Sequence, residues 1–317
     1  MRYLKRIIYA LFAFFLLLAM SPISDQQNEI LLFGESVVFK QGEVISGCIM
    51  GKPINQNEIS VNLVNKHDVT KIYNFDSSLV SNGPCNAGLF IVPVAYDLIP
   101  GDYYLQIRRS DESEYVMNTD ISIEPSIYIE ETIVLDDAIS KLRQEENAQR
   151  RSESEELWEL IQTKADSQSL FYGQMELPVK DAVLSSSFGD RRIFNYSSGN
   201  TSRSIHWGID FAAKEGSPVL VPADGRVVMS RNRLITGNTI VIEHFPGVYS
   251  LLYHLHELYV KQGDMVSIGE IIGSVGSTGV STGPHLHWEV RVFTIPVNPL
   301  FLLEKPLVPL DTKDKND

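Results

Sequence analysis

The hydrophobic positions follow two different periods along the chain, and the change between them divides it. From about residue 30 to residue 125, short apolar runs separated by turn residues predict β-strands. In one run Tyr103, Leu105 and Ile107 alternate with polar neighbours, as residues of a half-buried strand do. Strands at roughly ten-residue spacing predict a small, immunoglobulin-like β-sandwich over residues 27–125. The clearest runs are SVNLVN (60–65), GLFIVPVA (88–95) and YYLQIRR (103–109).

Residues 126–172 follow a helical pattern instead. The stretch LDDAISKLRQEENAQRRSESEELWELIQTK contains no Gly or Pro, and Asp136 and Asp137 stand where a helix start favours acidic residues. We predict a charged, mostly exposed helical linker, with a partner-binding helix as the alternative. Apolar residues recur at helical spacing at Leu135, Ile139 and Leu142, and again at Leu157, Leu160 and Ile161.

The sequence becomes rich in strand-forming residues and glycine again over residues 173–304. This composition predicts a second β-rich domain with glycine-rich loops, followed by a polar tail at 305–317. The chain of 317 residues, 44% of them hydrophobic, is long enough for two ordinary domains. We therefore predict a mainly β protein with a sandwich, a linker and a C-terminal domain.

The first 24 residues predict export. Basic Arg2, Lys5 and Arg6 precede an apolar run from Ile7 to Met20. This run of about 14 residues suits a signal-peptide core better than a membrane span of roughly 20 residues. Because no clear cleavage motif follows, residues 1–24 are either a signal peptide or an uncleaved membrane anchor. In both cases the rest of the chain is expected in the cell envelope, in the periplasm or at the cell surface.

The charge of the chain argues against one class of binding partner, and its cysteines bear on whether it contains a disulfide. A net charge of −13 and a pI of about 5.0 argue against nucleic-acid binding, which requires a basic surface. From Pro178 onward there are 13 basic and 14 acidic residues, so the acidic excess lies upstream. The chain has two cysteines, Cys48 and Cys85. In an exported domain they form either one disulfide or two buried thiols.

Six of the seven histidines lie in the C-terminal domain. His285 and His287 in STGPHLHWEV have the i, i+2 spacing that places two side chains on one face of a strand. Imidazole is both a common metal ligand and a general acid or base. The pair therefore supplies either two metal ligands or one ligand and one catalytic base.

A second cluster, SIHWGIDFAA, contains His206 and Asp210. A straight strand would hold these residues roughly 13 Å apart, so the segment must bend, which Gly208 permits. Two imidazoles and one carboxylate leave a fourth position open on a metal, as in catalytic zinc sites. A third cluster, YHLHEL, contains His254 and His256, one of which is expected to act in the reaction.

These blocks, in this order, resemble the lysostaphin-like (LytM-type) zinc metallopeptidases that cut peptidoglycan cross-bridges. The resemblance covers about residues 178–300 and implies an antiparallel β domain whose groove is lined by the glycine-rich loops. The matching blocks are SSFGDRR, HWGIDFAAKEGSPVLVPADGRVV, GNTIVIEH, LLYHL, VKQGDMVSIGEIIGSVGSTGVSTGPHLHWEV and VNPLFLL.

The resemblance implies a role for each of five residues. His206, Asp210 and His287 would bind one zinc ion. His285 would accept a proton from the attacking water as general base, and His254 would stabilise the oxyanion or protonate the leaving amine.

Some residues near these blocks keep alternative interpretations. His256 stands where the family commonly has a small polar residue, so it is either a surface histidine or a substrate contact. Arg191 and Arg192 either contact substrate carboxylates or lie at the edge of the domain. His244 ends a predicted strand and fills space there.

The predicted function is a zinc endopeptidase that hydrolyses the peptide stems or cross-bridges of bacterial peptidoglycan. LytM-type domains also occur as non-catalytic activators of cell-wall amidases, which is the main alternative. Such activators usually have a degraded metal set, whereas all five positions are filled here. A structural or adhesion protein based on the β-sandwich is a third possibility.

Overall fold

The computed structural model describes residues 29–33, 37–50, 59–75, 88–109, 116–162 and 173–308. The predicted signal peptide or anchor at 1–24 and Cys85 lie outside these ranges, whereas Cys48 is disulfide-bonded. In the described part of the chain, no helix has the length and apolar character that a membrane crossing requires. Most of the regular structure is strand, so the prediction of a mainly β protein is confirmed.

The N-terminal strands are β1 (Glu29–Leu32), β2 (Val38–Lys40), β3 (Val44–Met50), β4 (Ile59–Asn65), β5 (Ile72–Phe75), β6 (Gly88–Pro93), β7 (Gly101–Arg109) and β8 (Val116–Glu124). They form a three-stranded sheet of order β1-β3-β6 and a five-stranded sheet of order β2-β8-β7-β4-β5. Neighbouring strands are antiparallel except β2 and β8, which pair in parallel.

The three-stranded sheet is covered on both faces. Ile45 and Phe90 on one face join a core with the five-stranded sheet. Val44 and Leu89 on the other face join the core of the C-terminal domain. This explains the continuous apolar run of β6, since a strand buried on both faces has no polar side. The two sheets therefore share one hydrophobic core, and an immunoglobulin-like β-sandwich remains a prediction.

The segment predicted as a helical linker contains a strand as well as helices. It forms β9 (Glu130–Val134), α1 (Asp137–Gln144) and α2 (Ala148–Gln162). β9 has three consecutive β-branched residues, which favour a strand, and alternates between exposed and half-buried positions. Asp136 caps α1, because its side chain accepts a hydrogen bond from the Ile139 amide at 2.8 Å. The prediction of a purely helical segment was thus wrong for β9.

Helix α2 lies on the outer face of the C-terminal sheet. Its apolar patch of Leu157, Leu160 and Ile161 packs against strand residues that include Met229 and Tyr253. The patch that could have bound a partner protein therefore contacts the chain itself. Glu153 is buried as well, and its carboxylate accepts a hydrogen bond from the Leu234 amide at 2.8 Å.

The C-terminal domain contains β10 (Val183–Ser186), β11 (Arg191–Asn195), β12 (Thr201–Ile205), β13 (Ile209–Ala212), β14 (Pro218–Leu220), β15 (Gly225–Arg233), β16 (Gly237–Phe245), β17 (Val248–Leu258), β18 (Met265–Val266), β19 (Ile271–Val275), β20 (His285–Val292), β21 (Ile295–Val297) and α3 (Pro299–Glu304). Ten of these strands form one antiparallel sheet whose main path is β10-β13-β20-β17-β16-β15-β18. A smaller sheet has the order β12-β11-β9, so the linker strand belongs to this domain.

Packing continues beyond the predicted end of the domain at residue 304. Leu307 and Val308 are buried, and the Gly173 amide donates a hydrogen bond to the Val308 carbonyl at 2.9 Å. The prediction that residues 305–317 form a polar tail is therefore wrong up to Val308. The apolar pair closes the hydrophobic core at this point.

Candidate metal centre

Two antiparallel strands of the large sheet bring the central residues together. In the pairing of β13 with β20, Asp210 lies opposite His287. Their neighbours Phe211 and Leu286 enter the hydrophobic core. Because side chains alternate across a strand, Asp210 and His287 project from the opposite face of the sheet. The strand predicted for His285 and His287 is present as β20.

His206 reaches the same place because the chain bends between β12 and β13. Its amide donates a hydrogen bond to the Asp190 carbonyl at 2.9 Å, and its carbonyl accepts one from the Gly189 amide at 2.8 Å. Gly208 lies in the bend against β20, where an added Cβ would be 2.3 Å from the Trp288 carbonyl oxygen. Glycine at this position thus allows the close approach of the two segments.

Three donor atoms converge at this point. The Asp210 Oδ1 atom is 3.1 Å from His206 Nε2 and 2.7 Å from His287 Nδ1, and the two nitrogens are 3.0 Å apart. All three residues are buried. Two imidazole nitrogens and one carboxylate oxygen are suitable zinc ligands and leave an open position for a substrate or water.

The far side of each imidazole is fixed by a hydrogen bond. His206 Nδ1 lies 2.8 Å from the Ser187 carbonyl, and His287 Nε2 lies 3.2 Å from Glu289 Oε1. With a metal ion bound, these acceptors would keep the ring proton on the outward nitrogen and leave the lone pair of the inward nitrogen for the ion. This arrangement is typical of histidines that bind metals, and it fits the donor set to a zinc ion.

The electrostatics of the cluster also favour a cation. Burial raises the pKa of Asp210, but hydrogen bonds from His206 and His287 outweigh burial and hold that pKa well below its usual range. Burial lowers the pKa of His287, but Asp210 and Glu289 raise it to about 9. An ionised carboxylate that attracts a proton onto its neighbour provides the environment in which a metal cation can replace that proton.

His254 and His285 lie next to this cluster. Their ring centroids are 4.8 Å apart, and His285 Nε2 is 3.9 Å from Asp210 Oδ1. The Nδ1 atoms of His254 and His285 each lie 2.8 Å from a backbone carbonyl, of Thr278 and Gly283 respectively. These carbonyls favour the neutral tautomer in which the proton is on Nδ1 and Nε2 has a free lone pair. Burial, followed by the two neighbouring imidazoles, lowers the pKa of His254 to about 3, so it is neutral at pH 7.

The five residues line one cavity of about 530 Å³. The loop 280–284, which is part of the predicted glycine-rich groove, forms another part of its wall. The segment predicted as a linker contributes Glu131, Ile133, Leu135 and Arg143. Reasoning from the sequence did not assign any of these four residues to the site.

Of the two alternatives predicted for Arg192, the position at the domain edge is wrong, because the residue lies beside the candidate metal centre. Its guanidinium donates to Asp210 Oδ2 at 2.5 Å and to Glu131 Oε1 at 2.5 Å. Arg191 points elsewhere and lies over the rings of Tyr96 and Tyr128, at 5.3 Å and 4.9 Å from their centroids.

The two remaining histidines of the domain lie outside the cavity lining. His256 is exposed and its Nδ1 is 3.1 Å from Glu215 Oε1, so it is a surface residue. His244 is fully buried and bonded to the Asp224 carbonyl and the Ser250 hydroxyl. Its role is structural, in agreement with the space-filling prediction.

Comparison with known proteins identifies this region. Residues 204–299 match Peptidase family M23, and all five predicted site residues lie within the match. The DD-carboxypeptidase/endopeptidase Mpg of Neisseria meningitidis serogroup B is 48% identical over 96 residues, which cover 30% of this chain and 22% of Mpg. The peptidoglycan DD-endopeptidase ShyA of Vibrio cholerae is 44% identical over 116 residues, which cover 36% of this chain and 26% of ShyA.

A solved structure extends the likeness of the fold to most of the chain. A crystal structure of a peptidase M23 from Pseudomonas aeruginosa aligns with 83% of this chain and 93% of its own, with a TM-score of 0.55 and 22% identity. This likeness concerns the fold alone. The family match and the converging donor set support zinc as the cofactor. The C-terminal part of the chain therefore carries a peptidase family M23 domain, as its resemblance to the LytM-type enzymes predicted.

Proposed function

We propose that this protein is a zinc-dependent endopeptidase that hydrolyses peptide bonds of bacterial peptidoglycan. The observation that carries the proposal is the convergence of His206, Asp210 and His287 beside two further imidazoles in one cavity. The matched relatives named as DD-endopeptidases support peptidoglycan as the substrate class. Their names also support an envelope location, with the apolar segment 1–24 as an export signal or membrane anchor.

His206, Asp210 and His287 would hold the zinc ion. When bound, zinc would polarise the scissile carbonyl and make the attacking water more acidic. The protein contributes a buried, hydrogen-bonded set of ligands whose orientation is fixed before the ion arrives. The cavity provides room for an extended peptide to pass the donor atoms.

His285 is our candidate for the general base. In the neutral ring with the proton on Nδ1, which lies 2.8 Å from the Gly283 carbonyl, Nε2 has a free lone pair, and it lies 3.9 Å from the ligand oxygen of Asp210. It would accept a proton from water as the water oxygen bonds to the carbonyl carbon. The peptide C–N bond then breaks as the departing nitrogen takes up the proton that the water gave to His285.

His254 is our candidate for proton delivery or oxyanion stabilisation. Because its lowered pKa keeps the ring neutral at pH 7, proton delivery by His254 would be a relay: it would take up the proton that His285 accepted from the water and pass it to the leaving amine. The 4.8 Å separation of the His254 and His285 rings allows both to face one substrate. The alternative of a non-catalytic activator is disfavoured because both imidazoles and the full donor set are present.

The proposal is tested with purified full-length protein and isolated peptidoglycan. Soluble fragments are analysed by mass spectrometry for wild-type protein, for zinc-stripped and zinc-restored protein, and for His285→Ala. We expect new peptide ends with the wild type, their loss on stripping, and their return with zinc. Zinc-bound wild-type protein that cuts no peptidoglycan of any cross-link type would contradict the proposal and favour the activator.

A further inference from the structure

One guanidinium joins the metal centre to the segment that precedes the M23 domain. Arg192 forms two ion pairs, through Nε to Glu131 and through a terminal nitrogen to Asp210, both at 2.5 Å. The side chain of Arg192 is 16% exposed and that of Asp210 is 10% exposed. Partly buried charge pairs of this kind are stronger than surface pairs, because solvent screens them less.

Ser186 contacts the same guanidinium, so that Glu131, Ser186, Arg192 and Asp210 form one hydrogen-bonded network. Its hydroxyl accepts a hydrogen bond from Arg192 at 2.7 Å and lies 3.2 Å from both Glu131 Oε1 and His206 Nδ1. The network therefore contacts two of the three candidate ligands, Asp210 and His206. None of these contacts involves the donor atoms that face the metal position.

The backbone fixes the geometry of the network. β9 pairs in parallel with β11, and in this register Glu131 lies opposite Arg192. β10 pairs with β13, where Ser186 lies opposite Asp210. Glu131, Ser186 and Arg192 all precede the region 204–299 that matches the family, so the match alone does not assign them to the site.

The two carboxylate oxygens of Asp210 have different partners. Oδ1 faces the imidazole nitrogens, while Oδ2 accepts from Arg192. Rotation of an aspartate carboxylate about its last torsion is otherwise broad, so anchoring Oδ2 also fixes the direction of Oδ1. Arginine suits this task because its planar fork holds two carboxylates in a set geometry.

Charge balance explains the presence of Glu131. A guanidinium this close to the metal position would repel a divalent cation if its charge were not offset. The Glu131 carboxylate supplies the opposite charge and at the same time holds Nε of Arg192. Removal of Glu131 would therefore release Nε of Arg192 and leave the guanidinium charge without this partner, while the bonds to Asp210 and Ser186 remain possible.

We propose that Arg192 and Glu131 are positioning residues of the metal centre, and that β9 of the predicted linker is a working part of the peptidase. Arg192 orients Asp210 for the cation, and Glu131 orients Arg192 and offsets its charge. The inference rests on the proposed function in so far as the cation is zinc. On this proposal, the segment before the M23 domain is required for full affinity of the site for the metal ion.

The test measures zinc affinity directly, by competition with a chromogenic chelator, in full-length protein. The variants are Arg192→Gln, Arg192→Lys and Glu131→Gln, with Glu130→Gln as the control, since Glu130 is an exposed neighbour on the same strand. We expect Arg192→Gln to weaken zinc binding about 10- to 100-fold, as is usual when a hydrogen-bond partner of a metal ligand is lost. Arg192→Lys and Glu131→Gln should lie between, and Glu130→Gln should match the wild type.

Thermal unfolding of the zinc-free proteins separates positioning from simple stabilisation of the fold. If all three test variants bind zinc as tightly as the wild type, with or without a lower melting temperature, the inference is overturned and the network is structural only. If the wild type itself binds no zinc, the proposed function fails independently. Arg192→Lys keeps the charge, so it provides a folded test should Arg192→Gln fail to fold.

Discussion

Glu289 lies two residues after His287 on the same face of β20, and its Oε1 is 3.2 Å from His287 Nε2. Both side chains are buried, and Arg291 forms an ion pair with the other carboxylate oxygen at 2.7–2.8 Å. Burial raises the pKa of Glu289, but Arg291 and then His287 lower it to about 2. The carboxylate is thus ionised and available to orient the imidazole.

Replacement of Glu289 should weaken the metal centre without touching a ligand. In Glu289→Ala, His287 loses the acceptor that keeps its proton on Nε2, so its Nδ1 is less often available to the metal. We expect zinc affinity to fall about tenfold or more, measured by chelator competition. Glu289→Gln retains an oxygen acceptor and should lose less. Equal losses in the two variants would contradict an orienting role and indicate a packing defect.

The two candidate catalytic histidines should be separable from the ligands by kinetics. His285→Ala and His254→Ala should each lower kcat about 10²- to 10⁴-fold, the usual contribution of a positioned acid or base. Zinc content should be unchanged, because neither residue belongs to the triad.

His256→Ala serves as the control for these variants. His256 is on the same strand as His254 but pairs with Glu215 at the surface, so its loss should leave kcat within about twofold of wild type. A kcat for His285→Ala within that range would refute its assignment as general base.

Buried His244 should make stability depend on pH. Burial lowers its pKa from 6.5 to about 4 in the folded protein. Between these two values the unfolded chain binds a proton that the folded chain does not, so the free energy of unfolding should fall as pH falls from 6.5 towards 4. The loss attributable to this group is about 3 kcal/mol and should level off below pH 4.

Urea unfolding of zinc-free wild type and His244→Gln at pH 7 and pH 4.5 tests this expectation. Glutamine can still contact the Asp224 carbonyl or the Ser250 hydroxyl but does not titrate, so the variant should lose less stability on acidification. Other titrating groups are common to both proteins and cancel in the comparison. Parallel pH profiles would show that His244 is not responsible.

Arg143 should affect substrate binding and not metal binding. It is carried by α1, its guanidinium lies 3.9 Å from the centroid of the Phe194 ring, and it lines the cavity. A guanidinium recognises carboxylates through its fork of donors, and such a bond contributes about 1.5–3 kcal/mol. Arg143→Gln should therefore raise KM about tenfold or more for peptides that bear a free carboxylate, with zinc content unchanged.

The control for Arg143→Gln is a change in the substrate: the same peptide is tested with its carboxylate free and amidated. Amidation of the peptide carboxylate should raise KM for the wild type and have little effect on Arg143→Gln. If amidation affects both proteins equally, Arg143 does not recognise that carboxylate.

Local spacing indicated which residues of the candidate site lie together, and the resemblance to the family supplied their predicted roles. The period of two in HLH required His285 and His287 to share a face, and the separation of His206 and Asp210 required a bend at Gly208. The order of the blocks then indicated the family. These signals are local because His206 and Asp210, like His285 and His287, lie within five residues of each other in the sequence.

The residues that were missed are connected through non-local pairing. Glu131 and Arg192 are 61 positions apart and meet only because β9 and β11 pair in parallel. The residues around β9 have a polar, helix-like pattern, so the five-residue strand was not predicted. Its three β-branched residues were the evidence in the sequence that could have indicated it. Likewise, the apolar patch of α2 was visible in the sequence, but the sheet that covers it was not.

The N-terminal strands illustrate the same limit. The continuous apolar run of β6 indicated burial on both faces, yet nothing local identified the second surface. It is the C-terminal domain, whose core includes Val44 and Leu89. The predicted boundaries therefore assigned the N-terminal strands and the C-terminal domain to separate units, although the two share a hydrophobic core.

The measurement that tests the metal centre most directly is zinc stoichiometry by plasma mass spectrometry on purified full-length protein. We expect one zinc per chain in the wild type, in His254→Ala and in His285→Ala. His206→Ala, Asp210→Ala and His287→Ala should each contain far less zinc after dialysis. Full zinc occupancy in all three ligand variants would contradict the assignment of these residues as the site.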